Sequence, residues 1–175
     1  FFIGSMDWLP NLWGMQWFLK EVWTKLHNKY PNLKLYIAGR NMPEKFQAQK
    51  IPNVHIIGEV PDAIAYMRNH AIMIVPLFSG SGMRVKIIEA LALGKPIVAT
   101  TLAAEGIAYK DGQDLLVADN ETAFVEKISH LIDNPQEFDE ISQNAANFAL
   151  DKHENKVLIQ KLSDFYQTLL DTKEK

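Results

Sequence analysis

Residues 72–89 read Ile72-Met73-Ile74-Val75-Pro76-Leu77-Phe78-Ser79-Gly80-Ser81-Gly82-Met83-Arg84-Val85-Lys86-Ile87-Ile88-Glu89, and residues 90–100 continue Ala90-Leu91-Ala92-Leu93-Gly94-Lys95-Pro96-Ile97-Val98-Ala99-Thr100. The apolar run Ile72–Leu77 has the length and composition of a strand buried on both faces, and Pro96–Thr100 repeats the signature. Between them Met83–Leu93 carries a helical pattern, with Gly94 as a natural stop just past its end. A strand, a Gly-Ser loop, a helix and a second strand make one unit of a parallel sheet.

The same alternation extends in both directions. Phe1–Ser5, Lys34–Gly39, Val54–Val60 and Asp114–Ala118 are further strands, rich in Val, Ile and Leu and bounded by Gly, Pro or Asp. After Pro10-Asn11, the residues Leu12, Met15, Leu19, Val22 and Leu26 keep the rhythm of one buried helical stripe. Pro61–Asn69 is a shorter helix. Asn134-Pro135 followed by Glu137 predicts an N-cap, a Pro at the first turn and a reciprocal capping residue. A last helix carries Leu158, Leu162, Phe165 and Leu169 on one face. This order predicts an α/β, Rossmann-like, doubly wound parallel sheet of about six strands with helices on both faces. One domain spans residues 1–172, and 173–175 form a frayed tail.

Composition narrows the partners. The chain has 175 residues, 47% of them hydrophobic, with 18 Lys and Arg against 21 Asp and Glu and a net charge of −3. That balance argues against nucleic acid or an anionic membrane as the main partner. Without cysteine there is no disulfide framework, thiolate metal site or thiol nucleophile. Nothing in the sequence resembles a signal peptide, and no apolar run approaches the ~20 residues of a membrane helix. The chain starts at Phe1-Phe2-Ile3-Gly4, a strand already under way without an initiator Met, so a further piece is expected upstream.

In doubly wound sheets, ligands sit beyond the carboxyl ends of the strands. The turns after Gly4, Gly39, Gly58, Leu77 and Thr100 are therefore the ones to inspect, and Ser79–Glu89 is the richest. Glycines let backbone N–H groups turn toward an anion, and a helix N-terminus adds partial positive charge. Arg84 and Lys86 add two cations at the helix end that normally repels them, a penalty that a bound phosphate would reverse. At 100° per residue, Gly82, Lys86 and Glu89 fall within a sector of ~60°. A diphosphate over Gly82 and Lys86, with Glu89 accepting from ribose hydroxyls, would match a nucleoside diphosphate. The other reading is an ordinary turn followed by a Lys86–Glu89 surface pair. The two misplaced cations favour phosphate.

Ser79–Glu89, continued by Ala90-Leu91-Ala92-Leu93-Gly94-Lys95-Pro96-Ile97-Val98-Ala99-Thr100, resembles the C-terminal, donor-binding domain of retaining GT-B glycosyltransferases. The group is glycosyltransferase family 4, the "glycosyl transferases group 1" set. Ala104-Glu105-Gly106-Ile107, Asp111-Gly112 and Leu115-Leu116-Val117 follow the same pattern downstream. Gly4-Ser5, Ala38-Gly39 and Gly58-Glu59-Val60-Pro61-Asp62 follow it upstream. The resemblance implies one half of a GT-B enzyme, with the acceptor-binding N-terminal domain absent. It implies transfer of a sugar from a nucleoside-diphosphate donor (a UDP- or GDP-sugar) with retention at the anomeric carbon. No cofactor or metal is implied, and the place is the cytoplasm, with peripheral membrane association through the missing half left open.

By the same resemblance, Gly4, Ser5, Gly58, Val60, Ser79, Gly80, Ser81, Gly82, Met83 and Glu89 bind the nucleotide sugar. Arg84, Lys86 and the loop N–H groups stabilise the leaving diphosphate. The family usually has two glutamates eight positions apart here. Glu89 matches the second, which holds the ribose, but Ser81 replaces the first, which contacts the donor sugar. Ser5 and about Trp13 stand where many members carry an Arg and a Lys for the diphosphate, so Arg84 and Lys86 are assigned that displaced charge. Two other readings stay open. One is half of a related GT-B epimerase or phosphorylase; the other is a non-catalytic sugar-nucleotide-binding or interaction domain with an eroded site.

Other residues carry weaker signals. Val60 either edges the base or is an ordinary strand exit before Pro61-Asp62. Arg40 follows Gly39 at a ligand-facing strand end, where an exposed Arg is common. Trp8, Trp13 and Trp17 surround the first helix start, as cleft lining or as peripheral packing. Asp111-Gly112-Gln113-Asp114 lacks the spacing and distal Glu of a calcium loop and reads as a turn. His27, His55, His70, His130 and His153 have no paired metal-ligand spacing.

Overall fold

The computed structural model describes residues 1–153, 156, 159–160 and 162–167. All six expected strands form, each a little shorter than its apolar run: β1 (Phe2–Ile3), β2 (Leu35–Ala38), β3 (Val54–Gly58), β4 (Met73–Val75), β5 (Ile97–Ala99) and β6 (Leu116–Val117). They lie in two parallel three-stranded sheets, ordered β1-β2-β3 and β4-β5-β6. The sheets meet at β1 and β4. Ile74 N donates to Phe1 O at 2.9 Å, and the Phe1 amino group donates to Ile72 O at 2.6 Å. That donor pattern is a parallel pair, so the strands run β3-β2-β1-β4-β5-β6 across the molecule. The order reverses between β1 and β4, the topological switch point at which such sheets bind ligands.

Alternation along the strands explains why both faces need helices. Ile74, Val98 and Leu116 point into one core with Met15, Phe18, Val22, Phe124 and Ile128. Met73, Val75, Ile97 and Ala99 point into the other with Ile87, Ala90, Leu91, Ala145 and Phe148. The first face is covered by α1 (Leu9–Trp17), a π-helical turn (Phe18–Trp23) and α2 (Thr24–Lys29), and by α6 (Glu121–Asp133). The second is covered by α4 (Ala63–Arg68), α5 (Val85–Ala92) and α7 (Pro135–His153). A single turn, α3 (Glu44–Gln47), adds Phe46 to the first core. The π-helical turn turns four of its six residues inward, Phe18, Leu19, Val22 and Trp23, more than a regular stripe would bury.

Several helix starts differ from expectation, each for a local reason. α4 begins at Ala63 because the Asp62 carboxylate caps it, accepting from Ala65 N at 3.0 Å, so Pro61 stays outside. α5 begins at Val85, with Arg84 at the N-cap and Met83 in the loop. At its end Gly94, at φ 63°, lets Lys95 N reach Ala90 O at 2.9 Å and Gly94 N reach Leu91 O at 2.8 Å, closing the helix as expected. The predicted capping box at Asn134 and Glu137 is replaced. Asn134 turns its amide back to His130 O of α6, and Glu137 binds the His130 imidazole. Leu162 and Phe165 are exposed, whereas Leu158 and Leu169, and the tail at 173–175, lie outside the described residues. No helix among the described residues is long and apolar enough to cross a membrane.

α1 packs unusually close to the strand that leads into the site. A Cβ placed on Gly14 would stand 1.9 Å from Pro76 O, too close for any side-chain adjustment to relieve. Gly14→Ala is therefore expected to push α1 off the β4 exit and cost ~1–3 kcal/mol, the usual penalty for overpacking. Chemical denaturation measures it; an unchanged midpoint would mean that α1 is free to slide.

Candidate functional site

The switch point is occupied by the side chain of Lys86. From the second position of α5, its Nζ reaches across to the end of β1 and donates to Ile3 O at 3.1 Å and to Asn11 Oδ1 at 3.1 Å. The same nitrogen stands 4.3 Å from the centre of the Phe2 ring. Asn11, itself buried, completes the frame by donating Nδ2 to Ser5 O at 2.8 Å. Gly4 makes this convergence possible, because a Cβ there would lie 2.9 Å from Lys86 Nζ and 2.8 Å from Asn11 Nδ2. No carboxylate pairs with Lys86 among the described residues. Burial first, and then the nearby Arg84 charge, lowers its pKa from 10.5 to about 7. An ammonium so placed holds spare positive charge for an anion.

Arg84 has a different position from the one its spacing suggests. It is 9% exposed, and its Nη1 donates to the carbonyls of Ser81 and Gly82. Its guanidinium carbon sits 5.0 Å from the Trp8 ring centre, and its Nε and Nη2 are buried without partners. By holding these carbonyls inward, Arg84 fixes the loop rather than displaying charge in the cleft. Gly80 and Gly82 take φ of 101° and 88°, conformations that favour glycine. A Cβ on Gly80 would also meet the Trp8 ring at 2.8 Å. Gly80→Ala is expected to lower stability and to displace Trp8, seen as a shift in tryptophan emission; an unaltered spectrum would contradict the packing described.

The expected sector of Gly82, Lys86 and Glu89 does not exist as one helical face, because Gly82 precedes the helix. Lys86 and Glu89 do lie one turn apart on α5, but Glu89 is exposed and no ion pair joins them. The surface-pair reading is thus replaced by the contact of Lys86 with β1. The first turn of α5 has no side-chain cap, whereas Asp62 and Asn120 cap α4 and α6. Ile87 N turns back to Arg84 O at 2.9 Å, and the N–H groups before it have no side-chain cap.

The other expected residues divide into two groups. Gly4, Ser5 and Val60 share a cleft of about 180 Å³ with Ile3, Gly39, Arg40 and Ala63, at the ends of β1, β2 and β3. Gly58 sits behind it, at φ 81°, with its carbonyl accepting from Gly39 N at 2.8 Å. Ser5 Oγ bonds to Asp7 at 2.6 Å, which orders the turn after β1. Ser79, on the other side, lines a groove with Pro10, Trp13, Gly14, Trp17 and Phe78. Trp17 packs edge-on against Phe78, 4.5 Å between centres, while Trp13 stays exposed. Met83 is exposed and lies against Gly106.

Two members of the cluster were not singled out in the sequence. Asn11 had a signal, a polar residue four before Met15 on the buried stripe of α1. Glu105 stood in the downstream pattern Ala104-Glu105-Gly106-Ile107 without a role: it comes from the segment after β5, and its Oε2 accepts from Gly82 N at 3.3 Å. No group of three or more His, Asp or Glu among the described residues is arranged to hold a metal ion.

Comparison with known proteins gives this arrangement a family. An uncharacterized 44.6 kDa protein in the cps region of Klebsiella pneumoniae is 26% identical over 164 residues, which are 89% of this chain and 42% of that protein. A phosphatidyl-myo-inositol mannosyltransferase of Mycobacterium leprae is 28% identical over 112 residues, covering 60% of this chain and 30% of its own length. The chain therefore spans less than half of these relatives. Among solved structures, Anabaena Alr3699/HepE in complex with UDP superposes with a TM-score of 0.76 at 16% identity, over 96% of this chain and 49% of that one. The C-terminal domain of the glycosyl transferase group 1 family protein LpcC from Francisella tularensis gives 0.70 at 20% identity, over 89% and 87%. The family described as "Glycosyl transferases group 1" matches residues 1–134, and the chain belongs to it.

Proposed function

We propose that this chain is the donor-binding half of a retaining glycosyltransferase, holding a nucleoside-diphosphate sugar, a UDP- or GDP-sugar, for transfer to an acceptor bound by the other half. The observation that carries the reading is the Lys86 ammonium, held without a carboxylate partner at the switch point, beside Gly4 and the uncapped start of α5. The diphosphate would lie there, with the base directed into the cleft of Gly4, Ser5 and Val60 and the ribose toward Glu89. As the bond to the sugar breaks, negative charge grows on the diphosphate, and Lys86 with the α5 N–H groups stabilises it. Arg84 contributes by fixing the loop carbonyls. The UDP in the Anabaena structure supports a uridine donor by analogy of fold alone.

A metal-free titration with UDP, GDP and ADP tests this. One nucleotide should bind well below millimolar, and chelation by EDTA should leave its affinity within about twofold. Failure of all three at millimolar concentration would favour the second reading, a non-catalytic domain, to which the inward Arg84 and the residues Ser5 and Ser81 lend support. Glu89→Ala should weaken nucleoside and nucleoside diphosphate alike, since both keep the ribose. The 175-residue chain is expected to bind donor but transfer no sugar by itself; transfer would mean that the acceptor site has been misplaced. A cytoplasmic location, with the membrane approached only through the other half, belongs to the same proposal.

A further inference from the structure

Beside Gly82 and Met83 lies a further, wide-open cavity. It measures about 590 Å³, within the ~300–1,000 Å³ usual for ligand sites, and is lined by Thr101, Leu102, Glu105, Ile107, Tyr109 and Asp119 among others. The segment after β5 forms its wall and is tied down firmly. Thr100 Oγ1 donates to Leu77 O and accepts from Ala103 N, while the Asp119 carboxylate accepts from Thr101 N at 2.8 Å and Thr101 Oγ1 at 2.7 Å. Gly106 at φ 79° packs on Met83, where a Cβ would find the Met83 side chain at 3.6 Å. The glycine loop and this segment are therefore in direct contact, and Glu105 is the side chain that joins them.

We infer that Glu105 is the carboxylate that receives the hydroxyl groups of the donor sugar, an inference that rests on the donor-binding reading above. Its only partner among the described residues is Gly82 N, at 3.3 Å, long for a bond to a charged acceptor. Most of its acceptor capacity is left for a ligand. A carboxylate repels a diphosphate, so its complement must be the neutral, hydroxyl-bearing part of the donor. Hydroxyls that donate to Glu105 would sit at the junction of loop and cavity.

The experiment compares wild type with Glu105→Gln and Glu105→Ala, using UDP, GDP, UDP-glucose, UDP-N-acetylglucosamine and GDP-mannose in calorimetric titrations. For the nucleotide that wild type binds, both variants should keep or slightly improve affinity. For its sugar conjugate they should lose about tenfold or more. The ratio between conjugate and nucleotide is the readout, and thermal melts check that both variants fold. If conjugate and nucleotide tighten together, Glu105 is only a stand-in for phosphate on the Gly82 N–H, and the inference is overturned. Unchanged ratios overturn it as well, as does a wild type that binds a nucleotide but none of the conjugates. Absence of binding by every compound would instead sink the donor-binding reading itself.

Discussion

Lys86→Met should weaken binding of UDP or GDP by ten- to hundred-fold while changing affinity for uridine or guanosine less than twofold. A hydrogen bond to a charged group is worth ~1.5–3 kcal/mol, which sets that range. Met retains an apolar stem of similar length along Phe2 and removes the charge. The substitution also leaves Ile3 O and Asn11 Oδ1 without their donor, but it relieves the cost of a buried ammonium. The two act in opposite directions on stability, so the variant should fold, and the nucleoside control reports any distortion of the cleft. Equal losses for nucleoside and nucleotide would assign Lys86 to structure alone.

The second large effect is a pair of opposite pH dependences from the same amine. Lys86 holds its proton to about pH 10.5 in the unfolded chain but only to about pH 7 in the folded one. Between those values the unfolded state binds more protons, so this group makes the protein more stable as pH rises from 7 toward 10, and below 7 its burial cost is felt in full. Nucleotide binding needs the charged form. Affinity should therefore fall as pH climbs above 7, by up to tenfold per unit, while the denaturation midpoint rises. In Lys86→Met the slope of affinity should flatten. Parallel slopes in wild type and variant would place the titrating group elsewhere.

What the sequence shows and what it hides divide along sequence separation. The strands were legible because burial on both faces leaves unbroken apolar runs such as Ile72–Val75, and Gly94 marks its helix end by a conformation that other residues resist. α6 went unassigned although Asn120 caps it, accepting from Ala123 N, and Phe124, Ile128 and Leu131 form its buried stripe. At the site, the pairing of two cations with a glycine loop was readable, but their directions were not. An N-cap residue does not follow helical angles, so the 100° rule could not show that Arg84 folds back on Ser81 and Gly82. Lys86 meets Asn11 across 75 positions and Glu105 meets Gly82 across 23, contacts that only the doubly wound order brings together.

The central claim is that a diphosphate binds against the Lys86 ammonium at the switch point. Calorimetry at pH 8 in two buffers of different ionisation enthalpy, with the nucleotide that binds best, counts the protons taken up. With Lys86 mostly neutral at that pH in the free protein, binding should draw in close to one proton in wild type and close to none in Lys86→Met. Binding with no proton uptake in wild type, or with the same uptake in both proteins, would contradict it.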